Sequence, residues 1–159
     1  MESEQKIVID NPGTKVPPPV FLLVAIFVGY WMQRVVALGL PDWGGWSVVG
    51  ATVVGAGCGI LIAGWVQFYR AKTSVLHNRP SSFVIQSGLY RFSRNPIYVA
   101  ALLLQVGIGV MMDNLWVVVL VPVTKVMLDR FVIAGEEAYL EGAFGEVYVA
   151  YKKGVRRWV

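Results

Sequence analysis

Two short segments carry most of the polar residues whose types and spacing could do chemistry. The first is residues 88–98, with the sequence GLYRFSRNPIY, and the second is the adjacent pair Glu136 and Glu137. In the first segment, Asn95 is a favoured N-cap residue and Pro96 suits the first position of a helix. A helix beginning there presents unpaired N–H groups and the positive end of its dipole, which together attract a carboxylate or phosphate.

Each segment also has an interpretation without chemistry. Arg91 and Arg94 add positive charge beside the predicted helix start, but basic residues in such a place also serve simply to fix membrane topology. Glu136 and Glu137 suit an ammonium group, ribose hydroxyls or a cationic ligand. Alternatively, they open a C-terminal helix, where acidic residues interact favourably with the helix dipole. Spacing alone leaves both interpretations open.

The composition indicates what kind of protein must position these residues. Of 159 residues, 56% are hydrophobic and 15% are charged, whereas about 25% of the residues of a soluble domain are charged. This excludes a disordered chain, a nucleic-acid-binding domain and most soluble enzymes. A single Cys and a single His exclude an intrachain disulfide and the usual metal sites. We therefore expect one integral-membrane domain over residues 1–159, with no metal and no nucleic-acid partner.

Four apolar runs approach or reach the roughly 20 residues needed to cross a membrane. They are residues 20–40, 46–68, 97–112 and 115–133. Only Asp113 and Asn114 separate the last two runs, which predicts a tight helical hairpin. From Glu137 to Val155, apolar and aromatic residues recur at spacings of three and four, which predicts an amphipathic helix along the membrane surface. The predicted fold is all-α, with four transmembrane helices and a C-terminal interfacial helix.

The distribution of basic residues predicts the orientation. The connections 41–45 and 113–114 contain no Lys or Arg, while basic residues precede the first run, lie between the second and third, and follow the fourth. By the positive-inside rule, both termini and both polar segments are cytoplasmic. Residues 1–19 then form a cytoplasmic segment, residues 20–68 the first two spans, and residues 69–159 the part that holds the site.

Small residues in the second apolar run predict close helix packing. Ala51, Gly55, Gly59 and Ala63 recur every four residues, which lets a neighbouring helix approach, either within one chain or between two. Cys58 on the same helix is expected to be a small buried apolar residue.

The C-terminal end is predicted to contact lipid. Its basic residues would bind anionic headgroups and Trp158 would anchor the chain at headgroup level. The basic residues are Lys152, Lys153, Arg156 and Arg157.

Taken together, the two polar segments resemble those of the isoprenylcysteine carboxyl methyltransferase superfamily, which also includes phospholipid N-methyltransferases. The matching pattern is Gly88-x-Tyr-Arg-x-x-Arg-Asn-Pro-x-Tyr98, followed about 40 residues later by Glu136-Glu137-x-x-Leu-x-x-x-Phe-Gly-x-x-Tyr-x-x-Tyr151. The resemblance covers about residues 70–158. It implies an integral-membrane methyltransferase that uses S-adenosylmethionine without a Rossmann domain and acts on a lipid-like acceptor.

The resemblance and the chemistry of the residues together predict a cytoplasmic cofactor site. Asn95 and Arg94 would meet the cofactor carboxylate, Glu136 its ammonium or ribose, and Tyr90 or Tyr98 its sulfonium. The expected cofactor-binding residues are Phe83, Val84, Ile85, Tyr90, Arg94, Asn95, Pro96, Ile97, Tyr98, Glu136, Leu140, Phe144 and Tyr148.

Three residues are predicted to act on the acceptor or the transferred group. They are Tyr98, Glu137 as the base that an amine acceptor would require, and Arg130 as a contact for an anionic headgroup. The chain departs from the prenylcysteine enzymes at Asn95, where many have His, and at Val132, where they carry Arg. The alternatives are a phospholipid amine N-methyltransferase, or a non-catalytic membrane accessory protein that retains the motif.

Overall fold

The computed structural model describes residues 16–75 and 84–159, and the regular elements in these ranges are all helical. The predicted all-α class is therefore confirmed for the described residues. In chain order the elements are α1 (Pro18–Val35), α2 (Trp46–Val75), a 3-10 turn (Gly88–Arg91), α3 (Pro96–Met111), α4 (Leu115–Val119), α5 (Val121–Leu128), a π-helical segment (Asp129–Ile133), α6 (Ala134–Phe144) and α7 (Glu146–Gly154).

The two longest helices have apolar surfaces that the other described residues do not cover. α1, and α2 from Trp46 to Gln67, are long and apolar enough to cross a membrane, and α3 is apolar but shorter. Only 11% and 17% of the apolar windows of α1 and α2 are buried, whereas a core helix of a soluble protein is mostly buried. Large side chains such as Phe27 and Trp65 are exposed, so these helices associate with a membrane.

The first helix ends earlier than predicted. The apolar run continues to Leu40, but α1 ends at Val35. The side chain of Gln33 accepts a hydrogen bond from the Leu38 N–H at 2.9 Å, and the Leu38 carbonyl accepts one from the Leu115 N–H at 3.0 Å. Residues 36–40 are therefore a connection that hydropathy alone did not distinguish from helix.

The predicted tight turn between the third and fourth apolar runs is confirmed. Asn114 Oδ1 accepts hydrogen bonds from the N–H groups of Trp116 and Val117, at 3.1 and 3.4 Å, and so caps α4. Its amide group donates to the Gly29 carbonyl at 3.1 Å. One buried side chain therefore starts α4 and ties the turn to α1.

The fourth apolar run is an interrupted helical path rather than one regular helix. It is interrupted at Leu120, just before Pro122 in the first turn of α5, and it becomes π-helical at Asp129. Helical backbone then continues through Ile133 into α6, so Glu136 and Glu137 extend from the end of this path. The predicted single C-terminal helix is instead two helices, because Gly145 adopts a φ of +54° between α6 and α7.

The glycines of α2 that pack are not the ones that the four-residue spacing singled out. Gly50, Gly57 and Gly64 face α3, and a Cβ at Gly50 would lie 2.8 Å from the Gly107 carbonyl oxygen. This close approach makes α2 and α3 an antiparallel pair. It also places the C-terminal half of α2 beside the start of α3.

The predicted small-residue face of α2 has no packing partner among the described residues. A Cβ at Gly55 or at Gly59 would meet nothing within 4 Å. Cys58 is exposed rather than buried, so that expectation was wrong. Periodicity identified small residues correctly but could not identify the face that the neighbouring helix covers.

A small apolar cluster anchors the end of the fourth apolar run. Leu128, Val132 and Ile133 form its buried centre. Phe21, Tyr98, Leu102 and Trp158 pack around it. Because Tyr98 lies against this cluster, the first turn of α3 packs against the end of α5 and the π-helical segment that leads into α6.

Candidate active site

A cavity of about 440 Å³ lies where the start of α3 meets α6 and α7. Its wall is mostly apolar and carries a few charged and hydroxyl groups, which is typical of a small-molecule site. The lining residues are Trp65, Val84, Ile85, Tyr90, Arg94, Asn95, Pro96, Ile97, Tyr98, Glu136, Glu137, Tyr139, Leu140, Tyr148 and Tyr151.

Most of the residues predicted from the sequence line this one cavity. Phe144 and Arg130 do not line it, and the Arg130 side chain is exposed. Phe83 lies outside the described residues.

Three lining residues were not predicted as site residues. They are Trp65, Tyr139 and Tyr151. Tyr151 belongs to the second motif and could have been included on that signal. Trp65 could not be predicted as a site residue, because nothing in the sequence distinguishes it from the other apolar residues of a membrane helix.

The 3-10 turn places Tyr90 in the cavity wall. The turn begins at Gly88, whose φ of +61° is strained for any other residue, and a Cβ there would overlap the side-chain amide of Gln67. The Gln67 side chain in turn accepts a hydrogen bond from the Leu89 N–H at 3.2 Å. On the opposite side, the Tyr151 hydroxyl donates to the Tyr90 carbonyl at 2.6 Å, which ties the turn to α7.

Three tyrosines outside the apolar helices line the cavity as neutral side chains. Burial raises the pKa of Tyr90, and the nearby charge of Glu136 raises it further. Burial likewise raises the pKa of Tyr148 and raises that of Tyr151 to about 12. Their hydroxyls therefore stay protonated at neutral pH, and their electron-rich rings suit a cation.

The start of α3 is where the sequence predicts it, but the side chain of Asn95 does not cap the helix. Asn95 occupies the N-cap position with no side-chain cap hydrogen bond, and Pro96 lies in the first turn. The Asn95 amide instead donates to the Arg157 carbonyl at 3.0 Å. The predicted side-chain cap was therefore wrong, because the Asn95 side chain forms its hydrogen bond with a carbonyl group that is distant in the sequence.

Glu136 is linked to α3 through a hydroxyl group. Tyr98 donates a hydrogen bond from its hydroxyl to Glu136 Oε1 at 2.7 Å. Burial raises the pKa of Glu136, while the hydrogen bond from Tyr98 acts in the opposite direction. Glu136 Oε2 has no hydrogen-bond or ion-pair partner among the described residues, and Glu136 lines the cavity.

Glu137 lies in a cluster of basic side chains. Arg157 donates to both of its oxygens, at 2.6 and 3.1 Å. Arg94 Nη1 lies 3.1 Å from Glu137 Oε1, and Lys152 Nζ lies 3.9 Å from Oε2. The carboxylate is 7% exposed, so its charge is compensated within the protein.

Arg94 is the one cavity residue here whose buried nitrogen atoms lack hydrogen bonds. Its side chain is 9% exposed, and neither Nε nor Nη1 makes a hydrogen bond in the described structure. The Nη1 contact with Glu137 is therefore an ion pair without hydrogen-bond geometry. The guanidinium is thus paired with Glu137 and contacts Tyr148, and its buried Nε is a donor without a hydrogen-bond partner in the described structure.

Arg157 and Trp158, two of the residues predicted to contact lipid, make contacts within the protein, whereas Lys153 and Arg156 are exposed and their lipid contact stays a prediction. Trp158 Nε1 donates to Asp129 Oδ1 at 3.1 Å, and Lys125 Nζ lies 4.8 Å from the centre of the Trp158 ring. Arg157 Nη1 lies 3.3 Å from the same Asp129 oxygen. These contacts hold residues 157 and 158 against the π-helical segment.

Comparison with known proteins identifies the family. The sequence model of the phospholipid methyltransferase family matches residues 46–147, which are 102 of the 159 residues. A curated protein of Haemophilus influenzae, described as an uncharacterized protein, is 52% identical over 33 residues, which are 21% of this chain and 52% of that protein. The match thus spans about half of that relative. No solved structure matches the chain. The chain belongs to the phospholipid methyltransferase family of membrane methyltransferases, which generally use S-adenosylmethionine.

Proposed function

We propose that the chain binds S-adenosylmethionine in the cavity at the start of α3 and methylates a lipid-like acceptor. The observation that carries this proposal is the presence in one cavity of a buried guanidinium with unused donors, Arg94, and a carboxylate with an unused oxygen, Glu136. An amino acid has one carboxylate and one ammonium group. The cavity therefore offers one complementary group to each.

The residues of the cavity fit this cofactor. Its carboxylate would lie at Arg94 and the uncapped start of α3, and its ammonium or ribose hydroxyls at Glu136. The faces of Tyr90 or Tyr98 suit the sulfonium. When bound, the cofactor supplies an activated methyl group, so the protein has to provide positioning and exclusion of water rather than a nucleophile or a metal.

Of the two adjacent glutamates, Glu136 is the better candidate for contact with a reacting or bound cation. Both oxygens of Glu137 are engaged by Arg157, and Arg94 also lies against it. Glu136 has one oxygen held by Tyr98 and the other unpaired among the described residues. Glu137 is therefore a poor candidate for the base that an amine acceptor would require, and Glu136 is the carboxylate available to the cofactor's ammonium group.

An amine is the acceptor class that the charges favour. A prenylated carboxylate would need a cation of its own in the cavity, but Arg130 does not line it and Val132 is fully buried. The described cavity wall has Arg94 as its basic residue, and the cofactor carboxylate would occupy it. A phospholipid amine needs no such partner. We place the isoprenylcysteine-type carboxylate second.

We also propose that the chain crosses the membrane four times with the cavity on the cytoplasmic side. The path from Leu115 to Ile133 contains 19 residues, which at 1.5 Å per residue is about 28 Å, close to the hydrocarbon thickness. The two connections opposite the cavity lack Lys and Arg, whereas the cavity end is basic. The acceptor then enters from the cytoplasmic leaflet.

Titration calorimetry of the purified protein in detergent tests cofactor binding. We expect heat and a single site with S-adenosylhomocysteine, the demethylated product. The absence of binding to it and to S-adenosylmethionine would favour the accessory-protein alternative. Radiolabelled cofactor then distinguishes acceptors, because vesicles containing phosphatidylethanolamine should become labelled while a prenylated cysteine should not. Labelling of the prenylated cysteine alone would reverse our preferred acceptor class.

A further inference from the structure

The last residues of the chain bind back over the start of α3. Residues 93–95, which lie directly before α3, donate three hydrogen bonds to two carbonyl groups of these last residues. The Arg94 N–H donates to the Arg156 carbonyl at 2.9 Å, and the Asn95 amide and Ser93 hydroxyl donate to the Arg157 carbonyl at 3.0 and 3.2 Å. We refer to residues 156–158 as the C-terminal strap.

The strap changes what Asn95 does. An Asn at an N-cap position ordinarily accepts a hydrogen bond from an N–H group in the first turn. Here the side chain is turned to the Arg157 carbonyl and makes no cap hydrogen bond. The Ile97 N–H has no acceptor among the described residues, and both Pro96 and Ile97 line the cavity. The positive end of α3 is consequently left open to a ligand.

The strap is itself held by the side chain of Arg157. This guanidinium bonds both oxygens of Glu137, at 2.6 and 3.1 Å, and also reaches Asp129 at 3.3 Å. A planar guanidinium can join two carboxylates in this way, whereas an ammonium group acts as a single point charge. Arg157 therefore links α6 to the π-helical segment and fixes the position of its own carbonyl.

The same contact influences Arg94. Both oxygens of Glu137 receive hydrogen bonds from Arg157, and Arg94 is left with an ion pair that lacks hydrogen-bond geometry. The Arg94 side chain is nine-tenths buried and lines the cavity. Its unused donors are an observation independent of the helix start, and both point to an anion at the same end of the cavity.

We propose that the C-terminal strap prepares this end of the cavity for a carboxylate and that Arg157 is a positioning residue for it. Without the Arg157 side chain, Glu137 becomes free to take the donors of Arg94, and Asn95 is released to cap α3. Both changes remove attraction for a carboxylate and leave the rest of the cavity intact. The inference rests on the proposed function, since it concerns the carboxylate of the cofactor.

The test compares S-adenosylmethionine with its decarboxylated form, which keeps the sulfonium and adenosine but lacks the carboxylate. In detergent, Arg157→Gln should bind S-adenosylmethionine about tenfold more weakly or worse, because hydrogen bonds to charged groups are lost. Its affinity for the decarboxylated form should change little. Lys153→Gln removes the same charge from an exposed site and should alter neither affinity. Arg157→Lys should recover part of the loss.

A second variant covers the outcome that Arg157→Gln does not fold. Asn95→Asp keeps the Arg157 side chain but cannot donate to its carbonyl, and its carboxylate is suited to capping α3. It should also lose affinity selectively for the carboxylate-bearing cofactor.

Equal weakening towards both ligands in these variants would overturn the inference and leave the strap a purely structural role. Failure of the wild-type protein to bind either ligand would instead overturn the proposed function, and this inference with it.

Discussion

Tyr98 and Glu136 are 38 positions apart, yet the Tyr98 hydroxyl donates a 2.7 Å hydrogen bond to Glu136 Oε1. Tyr98 lies in the first turn of α3 and Glu136 in the first turn of α6. The bond therefore connects the two polar segments directly. It leaves the other oxygen of Glu136 for a ligand, and this is the basis of the first two predictions.

Removal of the Glu136 charge should weaken cofactor binding. We expect Glu136→Gln to lower affinity for S-adenosylhomocysteine about tenfold or more, because a charge-assisted contact is lost. Tyr98→Phe should have a smaller effect, since it removes only the group that orients the carboxylate. Glu146→Gln makes the same change at an exposed site and serves as the control. A folded Glu136→Gln protein that binds the ligand normally but turns over slowly would assign Glu136 to the acceptor instead.

Cofactor affinity should depend on pH through Glu136. Burial raises the pKa of this carboxyl above its ordinary value of 4.5, and only the ionised form attracts an ammonium group. Affinity should therefore rise as the pH increases through a range above this ordinary value, and the rise should be absent from Glu136→Gln. Calorimetry at several pH values measures this. An identical pH dependence in both proteins would contradict the assignment.

The same group should act on stability with the opposite sign. A carboxyl whose pKa is higher in the folded than in the unfolded state stabilises the fold fully below the unfolded value. This contribution is lost as pH rises through the folded value. The ligand-free Glu136→Gln protein, which cannot ionise at this position, should therefore gain stability relative to the wild type as pH increases, measured by thermal unfolding in detergent.

The turn before α3 should tolerate no side chain at Gly88. Gly88→Ala forces a Cβ into the Gln67 side chain at a φ of +61°, so we expect a loss of about 1–3 kcal/mol together with weaker ligand binding. Gly142 lies within α6 with open space beside it. Gly142→Ala should therefore stabilise the protein by about 0.5–1 kcal/mol. If Gly88→Ala and Gly142→Ala changed the stability equally, the turn at Gly88 would not have the observed conformation.

The two glycine faces of α2 should respond differently to alanine. At Gly50 an added Cβ would lie 2.5 Å from Met111 Cγ and 2.8 Å from the Gly107 carbonyl oxygen, so Gly50→Ala should cost about 1–3 kcal/mol. Gly55 has nothing within 4 Å, and Gly55→Ala should be neutral or stabilising. Thermal unfolding in detergent measures both. A large loss at Gly55 would show that another surface covers this face.

The proposed topology predicts which positions a membrane-impermeant thiol reagent can reach. Cys58 is the single cysteine of the chain, so a Cys58→Ser background allows one cysteine to be placed at a time. In sealed inside-out vesicles, Lys153→Cys should react and Asp42→Cys should not, and the reverse should hold in intact cells. The proposed topology places three crossings between these two positions, so they should lie on opposite sides of the membrane. Labelling of both positions from the same side would therefore contradict it.

Part of this architecture could be predicted from the sequence because it depends on local patterns. The α3 start at Pro96 follows from the preference of proline for the first turn of a helix, the turn at 113–114 from two polar residues between apolar runs, and the helical class from long apolar runs. Most of the residues that the linked pair of motifs singled out line one cavity, and their roles stay a prediction.

The sequence by itself determined that the chain is helical and apolar, and where its polar residues lie along it. Only the tertiary structure decided that Glu136 lines the cavity with one oxygen held by Tyr98 while Glu137 is ion-paired, and that the Arg157 carbonyl binds the Asn95 side chain at the start of α3. The side chains of adjacent residues in a helix point about 100° apart, so Glu136 and Glu137 lie in two different environments. The neighbours of a side chain depend on contacts between elements that are distant in the sequence, and the local spacing of residues does not predict these contacts.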